Sequence, residues 1–166
     1  MSNKFNPFNN PKPAIYFIFA FVALIVLFLA IDAKAETEVE YGATFLSADY
    51  SDGAAMFFSE IWADKYLVGF GIIGDQVGKF SEGELPVESN MLIQAQRLVS
   101  YKGVELGIGV ATWQHTNRAL GDEFTFSLSA GYSFGNWHVR YRHYSNGGTA
   151  RPNTGQDLLL IGYRFK

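Results

Sequence analysis

Between Phe124 and Phe134 the chain keeps a strict two-residue period, with Phe124, Phe126, Leu128, Ala130, Tyr132 and Phe134 on one parity and Thr125, Ser127, Ser129, Gly131 and Ser133 on the other. Side chains alternate across a β-strand, so one side of this segment is apolar and the other small and polar. The pattern recurs. Val104, Leu106, Ile108 and Val110 alternate with Glu105, Gly107, Gly109 and Ala111, and Tyr66, Val68, Phe70 and Ile72 alternate with Leu67, Gly69, Gly71 and Ile73. Weaker alternation covers residues 38–49, 55–63 and 91–101, and two further strands fit 137–145 and 156–165, for a total of eight. No long stretch after Glu36 keeps helical spacing.

The connections choose among all-β architectures. Ala63-Asp64-Lys65, Tyr101-Lys102-Gly103 and Gly135-Asn136 read as tight links after strands two, four and six, whereas residues 74–90, 114–122 and 146–155 read as long loops after strands three, five and seven. The first odd link, around Ser51-Asp52-Gly53, reads as short. Short turns at one end, long loops at the other and an even strand count predict an eight-stranded antiparallel outer-membrane β-barrel. In such a barrel the apolar parity faces lipid and the small or polar parity fills a narrow lumen. By parity Glu40, Glu105, Arg140, Arg142, Arg164 and Glu60 are expected inside, as a packed ion-pair network. Tyr41, Tyr66, Trp137, Tyr163 and Phe165 are expected in an aromatic girdle toward the short-turn end.

The N-terminus supports export. Lys4 and Lys12 precede an unbroken apolar run over residues 14–31, and Ala33-Lys34-Ala35 offers a small-x-small cleavage site. Residues 1–35 are therefore expected to be a signal peptide, with residues 36–166 as the barrel domain. The run is also long enough to span a bilayer, so an uncleaved anchor stays open.

Charge and composition exclude several classes. The net charge is −3 over 166 residues. Removing three lysines and one aspartate with the signal leaves 10 bases and 15 acids in the exported part, a net −5. An acidic chain without a Lys/Arg cluster is not expected to bind nucleic acid. With no cysteine there is neither a disulfide framework nor a thiolate metal site. His115 and His138 lack partners at metal-ligand spacing, so no metal is expected, and no G-x-S-x-G elbow or phosphate-binding glycine loop is present.

One constellation carries chemistry. In "RHYSNGGTARPNTGQDLLLIGYRF", His143 and Ser145 share the parity of Trp137, Val139 and Tyr141, and Asp157 shares the parity of Leu159, Ile161, Tyr163 and Phe165. Pairing the two strands so that His143 faces Asp157 also sets Tyr141 opposite Leu159, Val139 opposite Ile161 and Trp137 opposite Tyr163. Directly opposed side chains lie about 4.5–5.5 Å apart at Cβ, so one register satisfies lipid contact and brings the polar groups together. An imidazole can activate a serine hydroxyl, and a carboxylate on its other nitrogen fixes the tautomer. The expected roles are Ser145 as nucleophile, His143 as base and then acid, and Asp157 as the orienting acid. Asn146, Gly147 and Gly148 are the expected donors to an oxyanion.

The stretch "RHYSNGGTARPN" with a following acid and final apolar strand resembles the PagL-type lipid A 3-O-deacylases. The resemblance covers about the last 25 residues, and the rest agrees in length and architecture. It implies hydrolysis of the ester at the 3-position of lipid A in the outer leaflet, with release of a 3-hydroxy fatty acid and no cofactor. It carries the His-x-Ser-Asn motif onto His143, Ser145 and Asn146, and the acid onto Asp157. The family's usual acid is glutamate, so Asp157 is one methylene shorter; and Lys166 follows Phe165 where such barrels commonly end in Phe. The expected partners are lipopolysaccharide and the outer membrane, with a homodimer left open. Two other readings stay open: a non-catalytic barrel acting in adhesion or surface stability, and another outer-membrane lipid esterase such as a phospholipase.

Overall fold

A computed structural model describes residues 35–166 apart from 47, 48, 63, 64, 81, 82, 118, 152 and 166. The expected signal segment up to residue 34, Asp64 and Lys166 lie outside the described residues. Strands β1 (Glu36–Leu46), β2 (Asp49–Trp62), β3 (Tyr66–Ile73), β6 (Asn90–Tyr101), β7 (Val104–Trp113), β8 (Phe124–Phe134), β9 (Trp137–Ser145) and β10 (Gln156–Phe165) close into an antiparallel barrel in the order β1-β10-β9-β8-β7-β6-β3-β2. Closure pairs the backbone of the first and last strands, from Thr37 opposite Phe165 to Leu46 opposite Gln156, so neither edge is left for lipid. Between β3 and β6 the chain forms a separate hairpin of β4 (Gln76–Phe80) and β5 (Gly83–Val87).

The faces run opposite to those of a soluble sheet. Leu106, Ile108, Val110, Phe126, Leu128, Leu159 and Ile161 are exposed on the outer wall, whereas Glu38, Glu40, Glu105, His138, Arg140 and Arg142 are buried in the lumen. The expected ion-pair network is present. Arg140 binds Glu38, Glu40 and Glu105; Arg142 binds Glu40 at 2.8 Å; Arg164 binds Glu38 at 2.9 Å and Glu105 at 3.0 Å. Three guanidinium groups thus meet three carboxylates, so the buried charge is balanced. Above this layer lie amides and hydroxyls, with Gln96 donating to Ser127 and accepting from Ser129. Toward the long-loop end Leu46, Phe57, Ile73, Trp113, Tyr144, Leu158 and Leu160 form an apolar plug.

Four expectations are corrected. Ser51-Asp52-Gly53 is not a link between strands, because β2 already begins at Asp49. The register jumps from Ala43 opposite Ala54 to Thr44 opposite Ser51, so Asp52 and Gly53 form a bulge inside β2. Residues 74–90 are not a plain loop but carry the β4–β5 hairpin. It is tied to the barrel by Val77 N donating to Asp52 Oδ1 at 2.8 Å and by Gln76, which accepts from Ser51 and donates to Gln156.

Glu60 falls on the outward parity with Met56 and Phe58, while Phe57, Ser59 and Ile61 point inward. It sits two residues from the strand end, where a charged head can reach the interface while its stem lies on the wall. Tyr41 is outward but stands at mid-height opposite Ile161, away from the girdle. Tyr66, Trp137, Tyr163 and Phe165 do gather at the short-turn end, with Trp137–Tyr163 and Tyr163–Phe165 ring centroids 5.0 and 4.9 Å apart. The turn at Lys102-Gly103 has positive φ at both residues (50° and 85°), the hairpin geometry that matches the right-handed twist of its strands.

Candidate active site

Strand β9 presents alternate residues to two environments. Arg140, Arg142 and Tyr144 point into the lumen with almost no exposure. Arg142 lies over the Phe57 ring at 4.6 Å, and Tyr144 donates to Gln94 Oε1 at 2.7 Å while packing edge-on against Trp113 at 5.2 Å. These contacts hold the strand from inside, and its outward residues Tyr141, His143 and Ser145 inherit that rigidity.

The β9–β10 register sets His143 opposite Asp157, Tyr141 opposite Leu159, Val139 opposite Ile161 and Trp137 opposite Tyr163, the expected pairing. His143 Nδ1 and Asp157 Oδ1 are 2.5 Å apart. Asp157 is buried and His143 half-buried. Gly155, at φ 79°, lets the chain turn beneath the imidazole, since a Cβ there would stand 2.9 Å from His143 Cε1. On the other flank, β8 sets Leu128 opposite His143 and Phe126 opposite Ser145.

Ser145 lies at the strand end. Its hydroxyl donates to Asn153 Oδ1 at 3.2 Å and accepts from Asn153 Nδ2 at 3.1 Å and from the Gly147 amide at 3.1 Å. No hydrogen bond joins it to His143 among the described residues. The two are neighbours on one strand face, roughly 7 Å apart along the chain axis.

Seen together, the outward face of β9 and the adjoining end of β10 hold a serine, an imidazole and a carboxylate beside apolar side chains. Residues 58–166, most of the barrel and all of this site, match the family described as lipid A 3-O-deacylase (PagL). The chain belongs to that family. The crystal structure of the outer membrane enzyme PagL is similar at a TM-score of 0.46 and 19% identity, covering 78% of this chain and 98% of that one. No curated protein matches. As a lipid A 3-O-deacylase family member this chain is an outer-membrane hydrolase, and its closed eight-stranded barrel is the architecture that location requires.

The residues expected to bind an oxyanion separate in the structure of this deacylase-family barrel. Asn146 is buried, with Nδ2 donating to the Ala150 carbonyl at 2.9 Å and Oδ1 accepting from the Gly148 amide at 2.9 Å. Asn146 and Gly148 therefore hold the loop over residues 146–155 in shape. Gly147 is the member of the trio whose amide reaches Ser145. Asn153, which sequence reasoning passed over, brings both ends of its amide to the same hydroxyl; it also accepts from Asn146 N at 3.1 Å and pairs with Leu120 from the preceding long loop. The signal for it was faint, an asparagine in a turn-rich "RPNTG" run whose composition suits any loop.

Of the other histidines, His115 is half-buried in a loop where its carbonyl accepts from Asn90 at 2.7 Å. His138 lies in the lumen with Nε2 3.2 Å from Glu40 Oε1. Glu38, Glu40 and His138 bring one ligand atom each within 4.8 Å, a grouping the sequence spacing did not reveal. Arg140 already donates to both of those carboxylates, so the group is part of the balanced ion-pair network.

Proposed function

We propose that this protein hydrolyses the 3-O-linked hydroxyacyl ester of lipid A as a serine esterase, working from the outer wall of the barrel in the outer leaflet. The observation that carries the reading is the 2.5 Å contact between His143 Nδ1 and Asp157 Oδ1, on the same outward face as Ser145. With Nδ1 engaged by the carboxylate, Nε2 is the nitrogen left to serve the hydroxyl.

In this mechanism Ser145 Oγ exchanges Asn153 for Nε2 as substrate docks, since catalytic hydrogen bonds often tighten only in the complex. Nε2 takes the hydroxyl proton as Oγ bonds to the ester carbonyl carbon. Negative charge then develops on the carbonyl oxygen, and the Gly147 amide and Asn153 Nδ2, each 3.1 Å from Ser145 Oγ, are the donors proposed to receive it. The bond from the acyl carbon to the 3-position oxygen breaks, and the imidazolium returns its proton to that oxygen. Water, deprotonated by the same nitrogen, attacks the acyl-serine; the 3-hydroxy fatty acid leaves and Ser145 regains its proton. Asp157 stays ionised throughout and stabilises the imidazolium. Phe126 and Leu128 offer the departing chain an apolar bed. The chemistry draws on these side chains alone. A homodimer has no supporting observation and forms no part of the proposal.

The test is the mass of lipid A after incubation with purified protein. Loss of one hydroxyacyl group with the wild type and none with Ser145→Ala is expected. An unchanged mass, or equal loss with the variant, overturns the reading, and a phospholipid substrate run in parallel separates it from a phospholipase. We further propose that residues 1–35 are an export signal removed after Ala35. Protein recovered from outer membranes should begin at Glu36, and an intact Met1 would refute the cleavage.

A further inference from the structure

The Asp157 carboxylate has a second donor that a Ser-His-Asp arrangement does not require. The Tyr141 hydroxyl donates to Asp157 Oδ1 at 2.6 Å, the same oxygen that lies 2.5 Å from His143 Nδ1. Tyr141 precedes His143 by two residues on the same face of β9; its register partner is Leu159, and Asp157 is its diagonal neighbour on β10. The tyrosine is 46% exposed on the lipid-facing wall, whereas Asp157 is 7% exposed.

We propose that Tyr141 is a positioning residue for Asp157, pinning the carboxylate so that this short acid can hold the imidazole. The proposal rests on the esterase reading given above. The argument begins with the side chain: the terminal torsion of aspartate is broad, so a single donor leaves the carboxylate plane free to turn. Two donors from one rigid strand, converging on one oxygen, remove that freedom. A phenol suits the task because its ring has few torsions and its hydroxyl reaches diagonally across the sheet, a distance of about 7–8 Å between Cα atoms. Hydrogen bonds to an ionised acceptor are the stronger kind. On a hydrocarbon-facing wall, moreover, water does not readily replace a donor that is lost. A bland account also exists, in which Asp157 merely satisfies a phenol that would otherwise face lipid unpaired. The two accounts differ in what happens to His143 when the hydroxyl is removed.

The experiment uses the full barrel in detergent micelles, with Tyr141→Phe, Asp157→Ala and the double variant, and heat-modifiable migration as the folding control. The first readout is the downfield proton resonance of the His143 Nδ1–H, assigned by its absence in His143→Gln. Tyr141→Phe is expected to displace it. The second is turnover: Tyr141→Phe is expected to lower kcat about tenfold with KM within about twofold, and to cost nothing further in the Asp157→Ala background, because both residues act through one carboxylate. An unmoved resonance, or a fall of the same size in the Asp157→Ala background, overturns the proposal. If Ser145→Ala keeps wild-type activity while Tyr141→Phe still displaces the resonance, the esterase reading fails and the pinning of Asp157 stands. If Ser145→Ala is inactive and the resonance does not move, Tyr141 alone loses its role.

Discussion

Phe126 on β8 stands directly opposite Ser145 on β9, each on the outward parity of its strand. The ring is 51% exposed and meets Phe124 edge-on at 5.9 Å, so the wall beside the serine is aromatic and able to take an alkyl chain. Phe126→Ala is expected to lower kcat/KM for long-chain substrates about fivefold to tenfold, mainly through KM, since about 1 kcal/mol of chain contact is lost. A short-chain ester assayed alongside should be nearly indifferent. The barrel should keep its heat resistance, because nothing in the lumen changes.

The acid can be interrogated by length and by charge. Asp157→Asn keeps the shape but removes the anion that in the proposed mechanism stabilises the imidazolium, and a fall in kcat of about 100-fold or more is expected. Asp157→Glu lengthens the acid by one methylene and is expected to stay within about tenfold of wild type, because β10 sets this position directly opposite His143. Steady-state rates on purified lipid A check both. A glutamate variant as inactive as the asparagine would show that the register tolerates only the shorter side chain.

Asn153 and Asn146 should behave differently although they lie in one loop. Asn153 Nδ2 is 3.1 Å from Ser145 Oγ, so Asn153→Ala is expected to lower kcat about 100-fold with KM little changed, the pattern of a lost transition-state donor. Asn146 donates to Ala150 and accepts from Gly148, so Asn146→Ala should loosen the loop first. Limited proteolysis within residues 146–155, compared between the two variants, distinguishes them.

The lumen holds the barrel's buried ion pairs. Arg140 is buried and binds three carboxylates, and Arg140→Ala leaves Glu38, Glu40 and Glu105 with too little positive charge around them. A loss of about 3–5 kcal/mol is expected, read from the shift of the urea unfolding midpoint in micelles. The same packing predicts that purified protein adds no steady conductance to a planar bilayer.

The parts of the fold that follow from a period of two were open to sequence reasoning. Alternation in residues 124–134 and 137–145 places the lipid and lumen faces, and shared apolar parity together with the pairing of His143 and Asp157 gives the β9–β10 register to the residue. Alternation says nothing about elements that interrupt it. The β4–β5 hairpin is two five-residue strands, one carrying Pro86, inside a stretch rich in glycine and acid, and its anchor through Gln76 is a tertiary contact. Glu60 is expected inside with the other charges, but the weak alternation of residues 55–63 leaves its parity poorly marked, and its position near the strand end lets it face outward with Met56 and Phe58. Asn153 escaped because its contact with Ser145 depends on how the loop folds back, through the bond to Asn146 N and the pairing with Leu120. Parity makes Tyr141 a lipid-facing ring, since it gives the direction of a side chain and not the reach of its hydroxyl.

The filled interior has a kinetic corollary. With ion pairs and apolar side chains occupying the bore, the proposed reaction brings substrate to His143 and Ser145 sideways, from within the leaflet. Encounter is then a two-dimensional search, and the governing variable is the mole fraction of substrate among the surrounding amphiphiles. Diluting lipid A with inert detergent at fixed bulk concentration should slow turnover as surely as withholding substrate.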